Sequence, residues 1–329
     1  MPLDWTPFID FVRAPQRFVI STHMRPDGDA LGSALGLAHA LRHLGKQAQV
    51  VIPSPLPPRY VNIIAEGDVV MYDPAQEALL AGTEAIIIVD TGTWNQLGKF
   101  GDWMRRQNVP KFVIDHHRTQ DDLNATRLVD ISAEACGRLI YDAARALNVP
   151  LNKDIASYLF MAVATDTGWF HHRNVLAETF SLAAVLTQAG AEPTQLYQLL
   201  YDTNSLARQK LSGHVLHSLD ISHGGDVCYA SITLADYLRT GAVPLDSEDL
   251  VNLTLTVSGV DVGILFLEQP VGGTKVSLRS RGKLDCSKLA EKLGGGGHSA
   301  AAGAIVQKPL PEVRTLVLDE VNQRLDGLG

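Results

Sequence analysis

Residues 18–33 read Phe-Val-Ile-Ser-Thr-His-Met-Arg-Pro-Asp-Gly-Asp-Ala-Leu-Gly-Ser. The apolar triplet Phe18-Val19-Ile20 reads as a buried strand, and Ala34 to Leu44 reads as a helix. His23, Asp27 and Asp29 then share one short turn at the carboxyl end of a strand, where open α/β sheets build their sites. Three candidate metal ligands in one loop suggest an enzyme.

Outward from this stretch, short apolar runs alternate with helical patterns: Ala48-Ile52, Ala85-Val89 and Phe112-Ile114 follow the first strand. Such alternation predicts an α/β domain with a parallel sheet and helices on both faces. Three of the runs end abruptly in polar residues: Ile20 leads to His23, Val89 to Asp90, and Ile114 to Asp115-His116-His117. Apolar residues at three- and four-residue steps predict helices over 134–147, 153–165 (with Asp166 at its end) and 177–189, and residues 194–209 read as a connector. Beyond Lys210 the pattern turns strand-rich, at 227–232, 253–258, 260–267 and 275–279, with helices near 234–239, 287–293 and 311–325. This predicts a smaller C-terminal α+β domain with a mixed sheet. The expected boundaries are a catalytic domain over 1–190, a helical linker over 191–209 and a second domain over 210–329.

Composition narrows the function. A chain of 329 residues with 46% hydrophobic content can bury two cores. Its 28 basic and 36 acidic residues leave a net charge of -8, which argues against duplex DNA as a partner but admits a short anionic ligand held locally. Cys136, Cys228 and Cys286 lack paired spacing, no secretory signal is evident, and no apolar run reaches the roughly 20 residues that span a bilayer. The expectation is a cytoplasmic protein with no membrane association.

Asp27, Asp29, Asp90, Asp115 and Asp166, with His23, His116 and His117, are all expected at one sheet edge. Five converging carboxylates repel one another unless cations neutralise them. Carboxylate and imidazole without thiolate favour Mn²⁺ or Mg²⁺, and two ions about 3.5–4 Å apart suit phosphoryl transfer. Taken singly, Asp27, Asp90 and Asp166 each also read as a turn or helix cap, because each stands beside glycine or threonine. Two adjacent histidines at a buried strand end lack an obvious packing role. Their occurrence in order, each after an apolar element, makes coincidence a poor explanation.

These motifs, His23-Met-Arg-Pro-Asp27-Gly-Asp29, Val89-Asp90, Asp115-His116-His117, Thr165-Asp166-Thr-Gly168 and Gly294-Gly-Gly-Gly-His298, resemble those of the DHH/DHHA1 phosphoesterases. The resemblance covers nearly the whole chain, and its compact plan is most similar to the stand-alone, RecJ-like nanoRNA phosphodiesterases that also dephosphorylate pAp. It implies two Mn²⁺ ions, with Mg²⁺ or Co²⁺ as substitutes. His23, Asp27 and Asp90 would hold one, and Asp29, Asp90, His116 and Asp166 the other, with Asp90 as the bridge. His117 would face substrate phosphate, Asp115 would orient the ligands, and water activated by the ions would attack phosphorus in line. Three positions depart from the family pattern: Gln120 where Asn is frequent, His171 where Arg is frequent, and Ser132-Ala133-Glu134 for Thr-Ser-Glu.

In the second domain, Gly295, Gly296 and Gly297 with His298 suit a phosphate nest, although a glycine run also reads as a flexible turn. Arg279, beside Ser280 at a strand end, offers a planar fork for phosphate, or else a solvated edge charge. The expected substrates are short single-stranded RNA and small nucleotides such as pAp, with room for a homodimer. Alternatives are hydrolysis of cyclic dinucleotides or pApA, inorganic pyrophosphatase activity, and a non-catalytic nucleotide sensor.

Overall fold

A computed structural model describes residues 3–297 and 299–327, and it divides into two compact units between Thr203 and Asn204. The first unit runs α1 (Thr6–Arg13), β1 (Arg17–Ser21), α2 (Gly28–His43), β2 (Gln47–Ile52), β3 (Val69–Met71), β4 (Ala85–Val89), α3 (Trp94–Arg106), β5 (Lys111–Asp115), β6 (Thr126–Val129), α4 (Cys136–Ala146), α5 (Lys153–Asp166), α6 (Ala177–Gln188) and α7 (Pro193–Tyr201). Its strands form one sheet in the order β3-β2-β1-β4-β5-β6, and every pair is parallel.

Alternation along each strand fills both faces. Phe18, Ile20, Ile87, Phe112 and Ile114 point to one core with α2, α4 and α5. Val19, Ile86, Ile88 and Val113 point to the other, beneath Leu97, Phe100, Trp103 and Met104 of α3. A sheet buried on both sides needs the continuous runs Ala-Ile-Ile-Ile-Val and Lys-Phe-Val-Ile-Asp, whose residues are all buried. The strand order reverses between β1 and β4, and such a switch point opens a crevice at the carboxyl ends of these two strands.

Helix α2 begins earlier than the pattern predicts. It starts at Gly28 with Asp27 as its N-cap, the carboxylate accepting from the Ala30 N–H at 3.0 Å, so Asp29 belongs to the first helical turn rather than to a loop. Gly28, Gly32 and Gly36, one helical turn apart, obscure this start because glycine costs about 1 kcal/mol in a helix. Packing compensates: a Cβ at Gly28 would collide with Thr165, one at Gly32 with the Tyr158 carbonyl, and one at Gly36 with Leu159. The stripe thereby draws α2 against α5.

The second unit runs α8 (Leu206–His217), β7 (Asp220–Ser222), β8 (Val227–Ile232), α9 (Leu234–Thr240), β9 (Val262–Glu268), β10 (Thr274–Ser280), α10 (Cys286–Lys292), β11 (Gly296–Gly297), β12 (Ala301–Val306) and α11 (Leu310–Asp326). Its mixed sheet has the order β11-β12-β10-β9-β8-β7, with β8 and β9 parallel and the remaining pairs antiparallel. Val313, Val317 and Val321 of α11 pack on Ile264, Phe266 and Val276, while Leu211 and Val215 of α8 cover the opposite face with Leu265 and Leu267.

The strand expected over 253–258 is instead a 3₁₀ segment, Leu250–Thr256. Thr254 and Thr256 turn their hydroxyls onto the carbonyls of Val251 and Leu253, each at 2.7 Å. Threonine bonding to its own backbone offers an alternative to a sheet ladder, and here it wins. Among the described residues no helix is long and apolar enough to cross a membrane. The three cysteines are buried and free.

Candidate metal centre

The sequence-predicted ligands gather at the switch point. His23 follows β1, Asp90 follows β4, His116 and His117 follow β5, and Asp166 ends α5. Three overlapping groups have ligand atoms within 4.8 Å of one another: His23 with Asp27 and Asp90; Asp29 with His116 and Asp166; and Asp90 with His116 and His117.

Asp90 is the hinge of this arrangement. It is 3% exposed, and its φ of 59° is left-handed, a conformation that Asp tolerates better than most residues. Its Oδ2 lies 3.4 Å from His23 Nε2 and its Oδ1 lies 3.4 Å from His116 Nε2, so the two oxygens face two different groups. Oδ1 is buried and receives no hydrogen bond from the described residues. From His116 Nε2, Asp29 Oδ2 stands at 3.6 Å and Asp166 Oδ2 at 3.9 Å.

Each histidine is oriented from behind. His23 Nδ1 meets the Met24 carbonyl at 3.0 Å and His116 Nδ1 meets the Ala133 carbonyl at 3.1 Å. With Nδ1–H donating to a carbonyl, the Nε2 lone pair turns into the cluster, which is the tautomer a metal requires. His117 Nδ1 is held by Asp115 Oδ1 at 2.8 Å, and nearly half of its side chain stays exposed. Asp29 is fixed by the start of α4: the N–H groups of Cys136 and Gly137 donate to its two oxygens at 2.7 and 2.9 Å, and Ser33 adds a third bond at 3.0 Å.

Without cations the cluster is under electrostatic conflict. Burial alone would depress His23, but the Asp90 hydrogen bond and the charges of Asp27 and Asp90 outweigh it and lift the pKa to about 9. Burial, then the charges of Asp90 and Asp166, push Asp29 well above the carboxylate range. Burial also opposes ionisation of Asp90, yet the imidazoles of His116 and His23 beside it hold its pKa low. An oxygen-rich donor set with imidazole, no thiolate and an unbonded buried carboxylate oxygen fits divalent cations.

The turn after Asp166 carries strain. Gly168, Trp169 and Phe170 have φ of 56°, 58° and 67°, an uncommon run for two bulky residues. Aromatic packing retains it: Trp169 lies 5.1 Å from Tyr197 and 5.5 Å from Tyr201, and Phe170 stacks on Phe180 at 5.6 Å between ring centroids. His171, the position expected to meet substrate, is exposed, and its Nδ1 contacts the Gly168 carbonyl.

The second unit's candidates behave differently. Arg279 is partly exposed, with Nε donating to Asn252 Oδ1 at 3.1 Å and a terminal nitrogen 3.7 Å from Asp249. Ser280 is buried, and its hydroxyl is spent within the fold: it donates to Asp261 and accepts from the N–H groups of Gly282 and Leu284. It supports the turn beneath Arg279 instead of reaching a ligand. Gly296 and Gly297 form β11, and Cβ atoms at Gly295 and Gly297 would collide with β12, so the glycine run is a close-packed edge and not a loose turn. His298 lies outside the described residues.

Residues the sequence reading leaves without a role also shape the centre. Ser33 and the backbone at Cys136 and Gly137 hold Asp29, and Gln120 holds Asp115; the regular spacing of Ser33 from Asp29 along α2 and the departure from the family pattern at Gln120 are the signals for them.

Comparison with known proteins agrees with this geometry. Residues 17–163 match the DHH family, N-terminal domain, and residues 224–327 match the DHHA1 domain. The chain belongs to the DHH family. It is 33% identical to a bifunctional oligoribonuclease and PAP phosphatase of Thermus thermophilus over 314 residues, 94% of this chain and 90% of that protein. It is 26% identical to a cyclic-di-AMP phosphodiesterase of Listeria monocytogenes, covering 96% of this chain but 48% of that longer protein. The solved structure of an exopolyphosphatase-related protein from Bacteroides fragilis superposes with a TM-score of 0.91 at 26% identity, covering 97% of this chain and 96% of that one.

Proposed function

We propose that this protein is a metal-dependent phosphoesterase that hydrolyses short oligoribonucleotides to mononucleotides and removes the 3′-phosphate of pAp. The observation that carries the reading is Asp90: a buried carboxylate whose oxygens diverge toward two His–carboxylate groups, one oxygen lacking any hydrogen bond. The activity named for the Thermus relative supplies the substrate class.

In this reading His23, Asp27 and Asp90 hold one divalent ion and Asp29, Asp90, His116 and Asp166 hold the second, with Mn²⁺ as the expected metal. Bound there, the ions supply positive charge that acidifies a water and offsets charge developing on the phosphoryl oxygens. The chain's own residues do the positioning. Carbonyls of Met24 and Ala133 keep His23 and His116 in the ligating tautomer. The α4 N-terminus keeps Asp29 from rotating. His117, anchored through Nδ1, presents Nε2 to a phosphate oxygen. Water adds to phosphorus as the P–O bond to the leaving nucleoside breaks, and the water's proton ends on the departing hydroxyl. Arg279 and the glycine edge at 295–297, with His298, are the proposed phosphate anchors, and His171 a further substrate contact.

The test is a substrate panel with Mn²⁺, Mg²⁺ and Co²⁺, from pAp through dinucleotides to longer RNA. Rapid release of mononucleotides from dinucleotides, lost on chelation, is expected. No turnover of any phosphate ester with any of the three metals refutes the reading. The Listeria relative supports a second reading, hydrolysis of cyclic dinucleotides or pApA. Faster turnover of those substrates than of pAp would favour it.

A further inference from the structure

Three residues beyond the histidine pair, Gln120 sits between two loops of the centre. Its Nε2 donates to Asp115 Oδ2 at 2.5 Å and to the His117 carbonyl at 3.2 Å. Asp115 is fully buried, and its other oxygen, Oδ1, accepts from the N–H of His116 at 2.8 Å, the N–H of His117 at 3.2 Å and His117 Nδ1 at 2.8 Å. Gln120 is thus the hydrogen-bond donor that fixes the free side of the carboxylate on which the His117 ring hangs.

The other end of the amide points the opposite way. Gln120 Oε1 is buried without a hydrogen-bond partner among the described residues, and it faces Gly92, where a Cβ would collide with it. Gly92 belongs to the loop that carries Asp90, and its carbonyl accepts from the Asp121 N–H at 2.8 Å. The amide therefore fills the seam between the Asp90 loop and the His116–His117 loop. An orphaned buried carbonyl is destabilising, so an apolar side chain of equal length would serve better if space-filling were the whole role. The donor end supplies what an apolar side chain cannot.

We propose that Gln120 is a positioning residue: acting through Asp115, it holds the His117 ring with Nδ1 bound and Nε2 presented, and glycine at position 92 makes its placement feasible. The proposal rests on the reading of His117 as a phosphate contact. Buried carboxylate partners of this kind change affinity or activity about 10–100-fold when removed.

The experiment compares Gln120→Met, which keeps length and loses the donor, with His117→Ala and the double variant, using dinucleotide turnover in Mn²⁺ with melting temperature as a control. Expected is a fall of about 10–100-fold in kcat/KM for Gln120→Met with an unchanged melting temperature and no further loss when it is added to His117→Ala. Gly92→Ala, which leaves the amide chemistry intact but occupies its space, should reproduce the loss. Wild-type kinetics in Gln120→Met, or losses that multiply with His117→Ala, overturn the proposal. A crystal structure of Gln120→Met decides it without activity: a His117 ring displaced from Asp115 supports it, and an unmoved ring overturns it. If wild-type protein turns over no phosphate ester, the functional reading fails, and that crystal structure still judges Gln120.

Discussion

Asp90 and Ser280 occupy matching places, each buried at or just past the end of a central strand, β4 in one unit and β10 in the other. Their hydrogen bonding differs. Ser280 donates one bond and accepts two within its own turn, whereas Asp90 keeps a buried oxygen with none. A strand end whose polar capacity is used up serves the fold. One whose capacity is left over, among others of like charge, is prepared for something that the chain itself does not provide. Arg279 stands between these extremes, partly exposed and only loosely paired.

The largest test of this contrast is Asp90→Ala. It should reduce kcat/KM on a dinucleotide by more than about 10³-fold, near 4 kcal/mol of transition-state stabilisation, while Ser280→Ala stays within a few-fold of wild type. Comparable losses in both would break the comparison. Next in size is the response to metal. Mn²⁺ at 100 times its dissociation constant should add about 2.7 kcal/mol to stability, read as a rise in melting temperature that disappears in Asp90→Ala and persists in Ser280→Ala. Arg279→Ala should raise KM about tenfold, the scale of one charge-assisted hydrogen bond, with the loss confined to KM. A fall in kcat of similar size would move Arg279 from anchoring to chemistry.

The smallest effect concerns a carboxylate that the fold satisfies completely. Burial would raise Asp68, but hydrogen bonds from Arg42 at 2.6 Å and His39 at 3.1 Å hold it below its ordinary pKa of 3.8. A depressed folded pKa contributes stability above the unfolded value and loses it as pH falls through the folded one. Asp68→Asn should therefore cost about 1 kcal/mol at pH 7, and wild type and variant should converge in melting temperature as pH falls through the lowered folded pKa. A gap that persists there would assign the loss to packing.

Much of this was legible in the sequence, for identifiable reasons. Parallel strands buried on both faces write themselves as unbroken apolar runs, so β1, β4 and β5 and the ligands at their ends could be read directly. Helix α3 was hidden by Gly98, whose φ of 49° kinks it, and β12 by its alanines and glycine. The start of α2 was hidden because glycine's local penalty is offset only by α5, a partner more than 100 residues away. The holding bonds on Asp29 come from backbone N–H groups, which have no residue signature at all. The family motifs named the candidate ligands. They did not show that Ser280 is spent internally, since that depends on Asp261 folding back beneath it.

The glycine stripe on α2 has a consequence for inheritance. At positions 28, 32 and 36 every substitution adds at least a Cβ, and each Cβ meets α5. A saturation library screened for folded protein should reject even alanine at Gly28, Gly32 and Gly36, most strongly at Gly32, where the obstacle is a backbone carbonyl that cannot turn aside. Asp29 rides on this stripe and Asp166 on the helix it touches. The separation between these two carboxylates is thus inherited less through the ligands than through three residues with no side chain to select.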